Sequence, residues 1–455
     1  MEALHNYSHN GFKAYDIRGI VPDEVNEELA YRVGRAYAEL YHPKTMCVGY
    51  DIRKSSKMIC DAAVKGLSDG GADVYVIGLC GTEMVYFTTF YYGYDGGFMI
   101  TASHNPANYN GIKIVREEGI PVSADTGLKE IEELAFSGAF GETHKKGIVK
   151  EQRVLDDYIR HLLTFVDVKK MKPLHIVVNA GNGCGGIAFT PLKAHLPFTF
   201  TEMYMTPDGS FPNGVPNPML EMCRKPLVDQ VIQEKADLGI AWDGDFDRCF
   251  FIDEKGSFVE GYYMVGLLAS HFLKRHPGEM IIHDPRVFWN TEEICDTLGG
   301  RYTESKGGHA FMKETMRRVR GIYGAENSAH HFFRDFSYCD SGMIPWLIVA
   351  EIMSETGQSL SELIRPMEEA FPVSGELNLP ADNGERVLEL VEKQYAHKAV
   401  SIDRIDGIGL DFGNWRFNLR PSNTEPLIRF NMETRGDKAL LEEKKQEVME
   451  FIAKL

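Results

Sequence analysis

Residues 238–252 read Leu-Gly-Ile-Ala-Trp-Asp-Gly-Asp-Phe-Asp-Arg-Cys-Phe-Phe-Ile. The run Leu238–Trp242 is short, apolar and closed by a turn residue, which is the signature of a buried strand. Three carboxylates, Asp243, Asp245 and Asp247, then alternate through a tight loop before a second apolar run begins at Cys249. Bare carboxylates so close repel one another, and a hard divalent cation with oxygen ligands is the natural compensation. A merely solvated acidic turn is disfavoured, because Trp242 and Cys249-Phe250-Phe251 bury both flanks. An EF-hand loop is a mimic, but Arg248 stands where that loop requires glycine. A phosphatase whose first aspartate is the nucleophile also begins with a strand and an Asp-x-Asp pair, and it stays as a rival.

The same rhythm recurs outward from this stretch. Apolar runs at Met46–Asp51, Val74–Gly78, Gly97–Thr101, His175–Val178 and Met280–Ile282 each end in a polar loop. They alternate with helix-like segments such as Glu27–Leu40 and Ser55–Gly70, which predicts an α/β architecture. In such sheets the loops at the carboxyl ends of strands carry ligands. Joints fall near residues 151, 256 and 371, giving expected domains 1–151, 152–256, 257–371 and 372–455. A length of 455 residues suits two to four domains. The helix-like stretch Lys438–Leu455 closes the last of them.

Composition narrows the function. A formal charge of −17 argues against nucleic acid and anionic membranes as partners. Apolar content of 44% with 25% charge is globular, not disordered. The most apolar stretch, Met343–Ala350, ends at Glu351 and is too short to span a bilayer. The first ten residues are polar, unlike a signal peptide. Eight scattered cysteines without a C-x-x-C pair point to reduced thiols and a cytoplasmic protein.

Further polar clusters follow strands. Thr101–Pro106 presents a serine hydroxyl, Ser103, with His104 and later Lys113 as neighbours; a serine is a weak nucleophile without help. The G-x-S-x-G spacing occurs at Gly66–Gly70, but there it ends the helix-like stretch Ser55–Gly70 instead of following a strand, so it is no nucleophile elbow and acyl hydrolysis is disfavoured. Gly181–Gly186 matches G-x-G-x-x-G, with Glu202 about 20 residues on, which keeps a dinucleotide site open. Gly324–His331 holds a carboxylate and a hydroxyl two apart, Glu326 and Ser328, suited to adjacent sugar hydroxyls. Arg420–Pro426, with Arg429 beyond, combines a guanidinium with hydroxyl, amide and backbone donors in the manner of a phosphate cradle. Tyr15–Gly19, Asp284–Arg286 and Ser305–His309 add cations to an otherwise acidic chain, a layout that suits an anionic ligand.

In order, Tyr15–Gly19, Thr101–Pro106, Asp243–Arg248, Glu326–His330 and Arg420–Pro426 make the chain resemble the α-D-phosphohexomutase family over its whole length. Ala329–Asp335 and Tyr338–Trp346 are especially like its mannose-phosphate branch, which supplies GDP-mannose for surface polysaccharide. The resemblance implies three related α/β domains with mixed sheets and a C-terminal α+β domain like the TATA-binding-protein fold, around a central cleft. By the same resemblance Ser103 carries the phosphoryl group. Asp243, Asp245 and Asp247 bind one Mg²⁺, with the Ser103 phosphate as a further ligand. His104, Lys113, Arg248 and His309 are catalytic, with Lys113 or His309 expected to move a proton. Tyr15, Arg18, Arg286, Gly308, Glu326, Ser328 and His330 contact substrate, and Arg420, Ser422, Asn423, Thr424 and Arg429 hold its distal phosphate. Asn327, Ala325, Ala329 and Arg286 depart from common family residues, which bears on sugar selection.

The implied reaction is reversible interconversion of mannose 6-phosphate and mannose 1-phosphate through phosphoserine and a hexose 1,6-bisphosphate, which also serves as activator. The competing readings are a dual-specificity glucose and mannose enzyme, the Asp-nucleophile phosphatase, an NAD-binding enzyme and a non-catalytic sugar-phosphate binder.

Overall fold

The computed structural model describes residues 8–143, 145–421 and 427–455. The chain divides into two compact units. One runs to Phe258 and takes in Phe332–Gly357; the other is Val259–His331 with Gln358–Leu455.

The first unit opens with β1 (Ile17–Ile20), β2 (Thr45–Tyr50), β3 (Asp73–Leu79), β4 (Gly96–Ile100), β5 (Tyr109–Arg116) and β6 (Val149–Glu151). They form one mixed sheet in the order β1-β5-β4-β2-β3-β6. β2 runs parallel to β3 and β4, whereas β5 is antiparallel to β4 and β1. β4 is buried at all five positions, as an apolar run without alternation requires. The helix Glu27–Tyr41 starts where the Asn26 side chain accepts the Leu29 N–H at 3.0 Å, and Leu29, Ala30, Val33, Ala36 and Tyr37 face the core. Its neighbour Ser56–Asp69 packs against it at bare backbone: a Cβ on Gly66 would lie 2.1 Å from the Tyr31 carbonyl.

A second mixed sheet contains β7 (His175–Asn179), β8 (Thr199–Met203), β9 (Leu238–Trp242), β10 (Cys249–Ile252) and β11 (Phe258–Val259), in the order β11-β10-β9-β7-β8. β7 is parallel to β8 and β9, and β10 folds back antiparallel on β9. That reversal is the acidic loop, so its flanks are two central, fully buried strands. The helix Met343–Thr356 is apolar on every face and packs into this unit. Trp346 meets Phe189 and Trp242, with ring centroids 6.1 and 6.4 Å away.

In the second unit β12 (Met280–His283) lies between β13 (Arg301–Glu304) and β14 (Tyr323–Ala325), all parallel. The short antiparallel pair β15 (His331–Phe333) and β16 (Cys339–Asp340) comes next in the chain and, from Phe332 on, belongs to the first unit. The C-terminal part is a wholly antiparallel sheet of β17 (Leu377–Pro380), β18 (Ser401–Asp403), β19 (Ile408–Asp411), β20 (Trp415–Pro421) and β21 (Leu427–Thr434), in the order β17-β21-β20-β19-β18. Helices Gly384–Tyr395 and Lys438–Ile452, capped by Asn383 and Asp437, cover a core that includes Val391, Phe417, Phe430 and Val448. The expected class, α/β domains with mixed sheets closed by an antiparallel α+β domain, is the fold observed.

A buried ion pair links the two halves of this unit. Arg416 and Glu433, opposite each other on β20 and β21, lie 3.0 Å apart. Arg416 donates to the carbonyls of Pro285 and Arg286 at 3.1 and 2.9 Å, and Glu433 accepts the Phe288 N–H at 2.8 Å. Both ends of the turn that presents Arg286 are therefore gripped by the C-terminal sheet. Among the described residues no helix is long and apolar enough to cross a membrane.

Candidate active site

In the first unit, β4 delivers Ser103 at its carboxyl end, and the β9–β10 reversal delivers the aspartates. Ser103 takes a left-handed backbone, φ +47°, and its Oγ donates to Asp243 Oδ2 at 2.7 Å. The acidic loop is seated in a socket of small residues. A Cβ on Gly81 would strike the Phe246 ring at 2.1 Å, and one on Gly342 would lie 2.4 Å from the Phe246 carbonyl. Asp243, Asp245 and Asp247 are fully buried, and each offers an oxygen within 4.8 Å of the others.

Two cations partly balance them. Arg248 Nε donates to Asp243 Oδ2 at 2.9 Å, and Lys113 Nζ donates to Asp245 and Asp247 at 2.8 and 2.5 Å. Burial works against the Lys113 ammonium, but Asp245 and Asp247 outweigh it and hold its pKa above the usual value. Burial pushes Asp243 up to about 6, with Arg248 pulling the other way. Three carboxylates against two cations leave one buried negative charge. Asp245 Oδ1 is buried and accepts no hydrogen bond among the described residues. An oxygen-only donor set with a spare buried lone pair and a charge deficit fits Mg²⁺.

His104 is drawn in as well. Its Nδ1 lies 3.1 Å from Ser103 Oγ and accepts from Arg248 Nη2 at 2.5 Å. With that lone pair committed to the guanidinium, Nδ1 is not available to take the serine proton. Arg18 donates to Asn105 Oδ1 at 3.0 Å and to Asp16 at 2.6 Å, which ties it to the serine loop. Tyr15, half-buried, precedes that pair.

The glycine motif has a different use from the one its spacing suggested. Gly181–Gly186 leads from β7 into the helix Gly185–Leu192. Cys184 N–H donates to the Gly244 carbonyl at 2.9 Å, and a Cβ on Gly183 would lie 2.8 Å from the same oxygen. The acidic loop occupies the close approach that a pyrophosphate would need, and Glu202 pairs with Lys193. These glycines serve loop packing, and the dinucleotide reading falls.

The second unit gathers its own polar cluster. Gly308 N–H donates to Glu326 Oε1 at 2.5 Å, and His330 Nδ1 lies 3.0 Å from Glu326 Oε2. Burial disfavours the Glu326 charge, but His330, Arg286 and the Gly308 amide hold its carboxyl down at about 2. His309, the first residue of the helix His309–Val319, has its ring 6.5 Å from that of His330. Ser328 Oγ is 3.5 Å from Arg286 Nη2. Asp284 receives Arg286 Nε and the Asn327 N–H at 3.0 and 2.7 Å, fixing the sugar-loop candidate to the Arg286 turn.

Glu376, which the sequence reading passed over, accepts from Arg286 Nη1 and Arg429 Nη1 at 3.1 and 3.0 Å and lies 3.5 Å from Arg420 Nη2. Its side chain is 12% exposed against 19% for Arg420 and 32% for Arg429, so these two arginines form the rim, with Glu376 and the 4%-exposed Arg286 beneath them. Burial opposes its charge, and the three guanidiniums drive its carboxyl down to about 2. Asp406 stands 3.4 Å from Arg420 Nη1. Ser422, Asn423 and Thr424 lie outside the described residues. Thr82 is the other omission: its Oγ1 donates to Asp245 Oδ2 at 2.5 Å from the first turn of the helix Thr82–Tyr92. Neither Thr82 nor Glu376 sits in a motif, and each is recognisable only through partners distant in the chain.

Mixed α/β sheets closed by an antiparallel sheet, with a serine on an oxygen-only acidic nest and an arginine cup, define a phosphosugar-type α/β protein. Comparison with known proteins narrows the class. Families described as phosphoglucomutase/phosphomannomutase match in chain order: alpha/beta/alpha domain I over residues 9–142, domain II over 156–256, domain III over 260–370 and the C-terminal domain over 376–451. A phosphomannomutase of Salmonella montevideo is 51% identical over 448 residues, covering 97% of this chain and 98% of the relative. One from Escherichia coli K12 is 50% identical over 438 residues, covering 95% and 96%. The crystal structure of a phosphoglucomutase/phosphomannomutase family protein from Burkholderia thailandensis matches with a TM-score of 0.88 at 27% identity, covering 98% of both chains. The chain belongs to the phosphoglucomutase/phosphomannomutase family, the α-D-phosphohexomutases.

Proposed function

We propose that the chain is a phosphomannomutase, an isomerase that interconverts mannose 6-phosphate and mannose 1-phosphate, supplying GDP-mannose synthesis for surface polysaccharide. The observation that carries the reading is the 2.7 Å hydrogen bond from Ser103 Oγ to Asp243 inside a buried three-aspartate nest. Relatives at about half identity over nearly the whole chain bear the name phosphomannomutase, which supports the same activity here.

Ser103 works as the phosphoryl carrier, primed by a hexose 1,6-bisphosphate. Its Oγ–P bond breaks as a bond from phosphorus to the sugar O1 forms, and the O1 proton leaves to a base. The bisphosphate then reverses, Ser103 Oγ takes the 6-phosphoryl group as its bond to O6 breaks, and O6 receives the proton that O1 gave up. Transfer of this kind depends on positioning and charge stabilisation more than on covalent help. Asp243, Asp245 and Asp247 would hold one Mg²⁺, and the chemistry it would supply is charge stabilisation of the transferring phosphoryl group. Lys113, within hydrogen-bond distance of Asp245 and Asp247, contributes positive charge beside the transferring group. His309, the other residue expected to move a proton, is assigned as base for the sugar hydroxyl. Glu326 and Ser328 read neighbouring sugar hydroxyls, and Arg286, Arg420 and Arg429 hold the phosphate that does not react.

The test is kcat/KM for mannose 6-phosphate and glucose 6-phosphate with bisphosphate and magnesium present, in the wild type and in Ser103→Ala. The reading requires mannose 1-phosphate from the wild type and a loss of several orders of magnitude in the variant. Near-normal turnover by Ser103→Ala would remove the nucleophile assignment.

A further inference from the structure

Ser103 holds a backbone conformation that L-residues rarely adopt, and something must enforce it. The residue that does so is 50 positions away. Arg53, 3% exposed, follows β2 and points its guanidinium into the serine turn. Nη1 donates to the carbonyls of Pro106 and Tyr109 at 2.7 and 3.0 Å. Nη2 donates to those of Ser103 and Asn105 at 2.8 and 2.6 Å. Nε stands 3.2 Å from Asp51 Oδ2.

Asp51 is itself fixed, accepting from Thr101 Oγ1 at 2.7 Å, from Ser56 Oγ at 2.5 Å and from the Arg53 N–H at 2.9 Å. Thr101 Oγ1 in turn accepts the Ser103 N–H at 2.9 Å. Asp51, Arg53 and Thr101 thus close a ring of hydrogen bonds around the base of the turn.

Four carbonyl dipoles converging on one point repel each other, and left uncompensated they would also repel a phosphate on Ser103. A planar guanidinium is the side chain whose two terminal nitrogens carry four N–H groups in a fixed fork. All four are engaged here, so Arg53 has none left at its Nη atoms for a ligand. That separates it from Arg248 and Arg18, whose contacts are with side chains of the site.

We propose that Arg53 is the positioning residue of the phosphoryl carrier. It turns the carbonyls of residues 103–109 inward and so presents the Ser103 hydroxyl to Asp243. The inference rests on the reading of Ser103 as that carrier. A lysine cannot replace the fork, because three tetrahedral donors cannot meet four coplanar-directed carbonyls.

The experiment uses the full chain with magnesium, loaded at Ser103 by hexose 1,6-bisphosphate and chased with mannose 6-phosphate in a single turnover. The first-order rate constant of phosphoserine loss is independent of how much protein is folded. For Arg53→Lys that constant is expected to fall about 100-fold, the cost of a misplacement of roughly 1 Å, with KM for mannose 6-phosphate within about threefold. Asp51→Asn, which keeps the shape but loosens Nε, is expected to fall about 10-fold and decides the matter should Arg53→Lys not fold. Rate constants within about twofold of wild type in the folded variants would overturn the proposal. Wild-type protein that never carries phosphate at Ser103 would sink the carrier reading itself, a result distinct from loaded variants that transfer at the normal rate.

Discussion

Gly244→Ala tests whether the spacing between the serine turn and the acidic loop sets the rate. Gly244 lacks a positive φ, so alanine is compatible with its backbone and the perturbation is purely one of contact. The added Cβ would lie 2.4 Å from the Ser103 carbonyl oxygen and 3.2 Å from its carbon. Relief to an ordinary contact requires the turn and the loop to part by about 1 Å. The Ser103–Asp243 hydrogen bond, 2.7 Å long, would then pass beyond bonding distance. A displacement of that size costs about 100-fold in kcat, roughly 2.7 kcal/mol of activation free energy. Overpacking adds about 1–3 kcal/mol of lost stability, a fall of several degrees in Tm. The assay is initial rate against mannose 6-phosphate at saturating magnesium, with Tm by calorimetry. KM should stay near the wild-type value, because Glu326, Arg420 and their neighbours are untouched. A variant with kcat within about twofold of wild type would refute the argument that this contact positions the carrier.

The second unit gives two further tests. Glu376→Gln keeps the shape of the arginine cup but removes the charge that gathers Arg286, Arg420 and Arg429; loss of charge-assisted hydrogen bonds worth about 1.5–3 kcal/mol should raise KM about 10-fold or more with a smaller change in kcat. Initial rates and inhibition by inorganic phosphate measure this, and unchanged constants would show the arginines to be organised without it. Stability should also depend on pH with a definite sign. Burial lowers His271, His283 and His331 from 6.5 to about 3, 4 and 3, so as pH falls through 6.5 the unfolded chain takes up protons first. The histidine contribution is full above that point and declines toward pH 4, by up to about 1.4 kcal/mol per pH unit for each histidine, while Glu292 and Glu304, raised by burial to about 7, and Asp243, raised to about 6, take up protons in the folded state and act in the opposite sense. Glu326 and Glu376, lowered from 4.5 to about 2, add their loss only below about pH 4.5. Denaturant melts at successive pH values on the wild type and on His331→Asn check the histidine contribution, and the same change in stability between about pH 6.5 and 4 in both proteins would contradict it.

The features legible in the sequence are those written within one strand and its loop. Leu238–Trp242 followed by three alternating aspartates announces both a buried strand and an oxygen-rich nest, because burial and chemistry lie within ten residues. The α/β class follows from the same local patterns, whereas the antiparallel close is implied only by the family resemblance. Arg53, Thr82 and Glu376 were not legible, since their meaning comes from carbonyls, an aspartate and arginines far along the chain. The segment 332–357 falls within the expected third domain, 257–371, and within the domain III match at 260–370, while its packing is with the first unit. Its signal was present: Met343–Ala350 offers no polar face, so the helix had to be covered all round. The glycines at 181–186 are ambiguous in sequence, because one local pattern serves both a bound pyrophosphate and a tight strand–helix turn.

The most direct measurement locates the phosphate. Protein incubated with hexose 1,6-bisphosphate and magnesium is digested and mapped by mass spectrometry, and a second portion is chased with mannose 6-phosphate. The account expects one acid-stable phosphoryl group on Ser103 that leaves during the chase no more slowly than kcat. A hydroxylamine-labile phosphate on Asp243, or no phosphate at all, would contradict it.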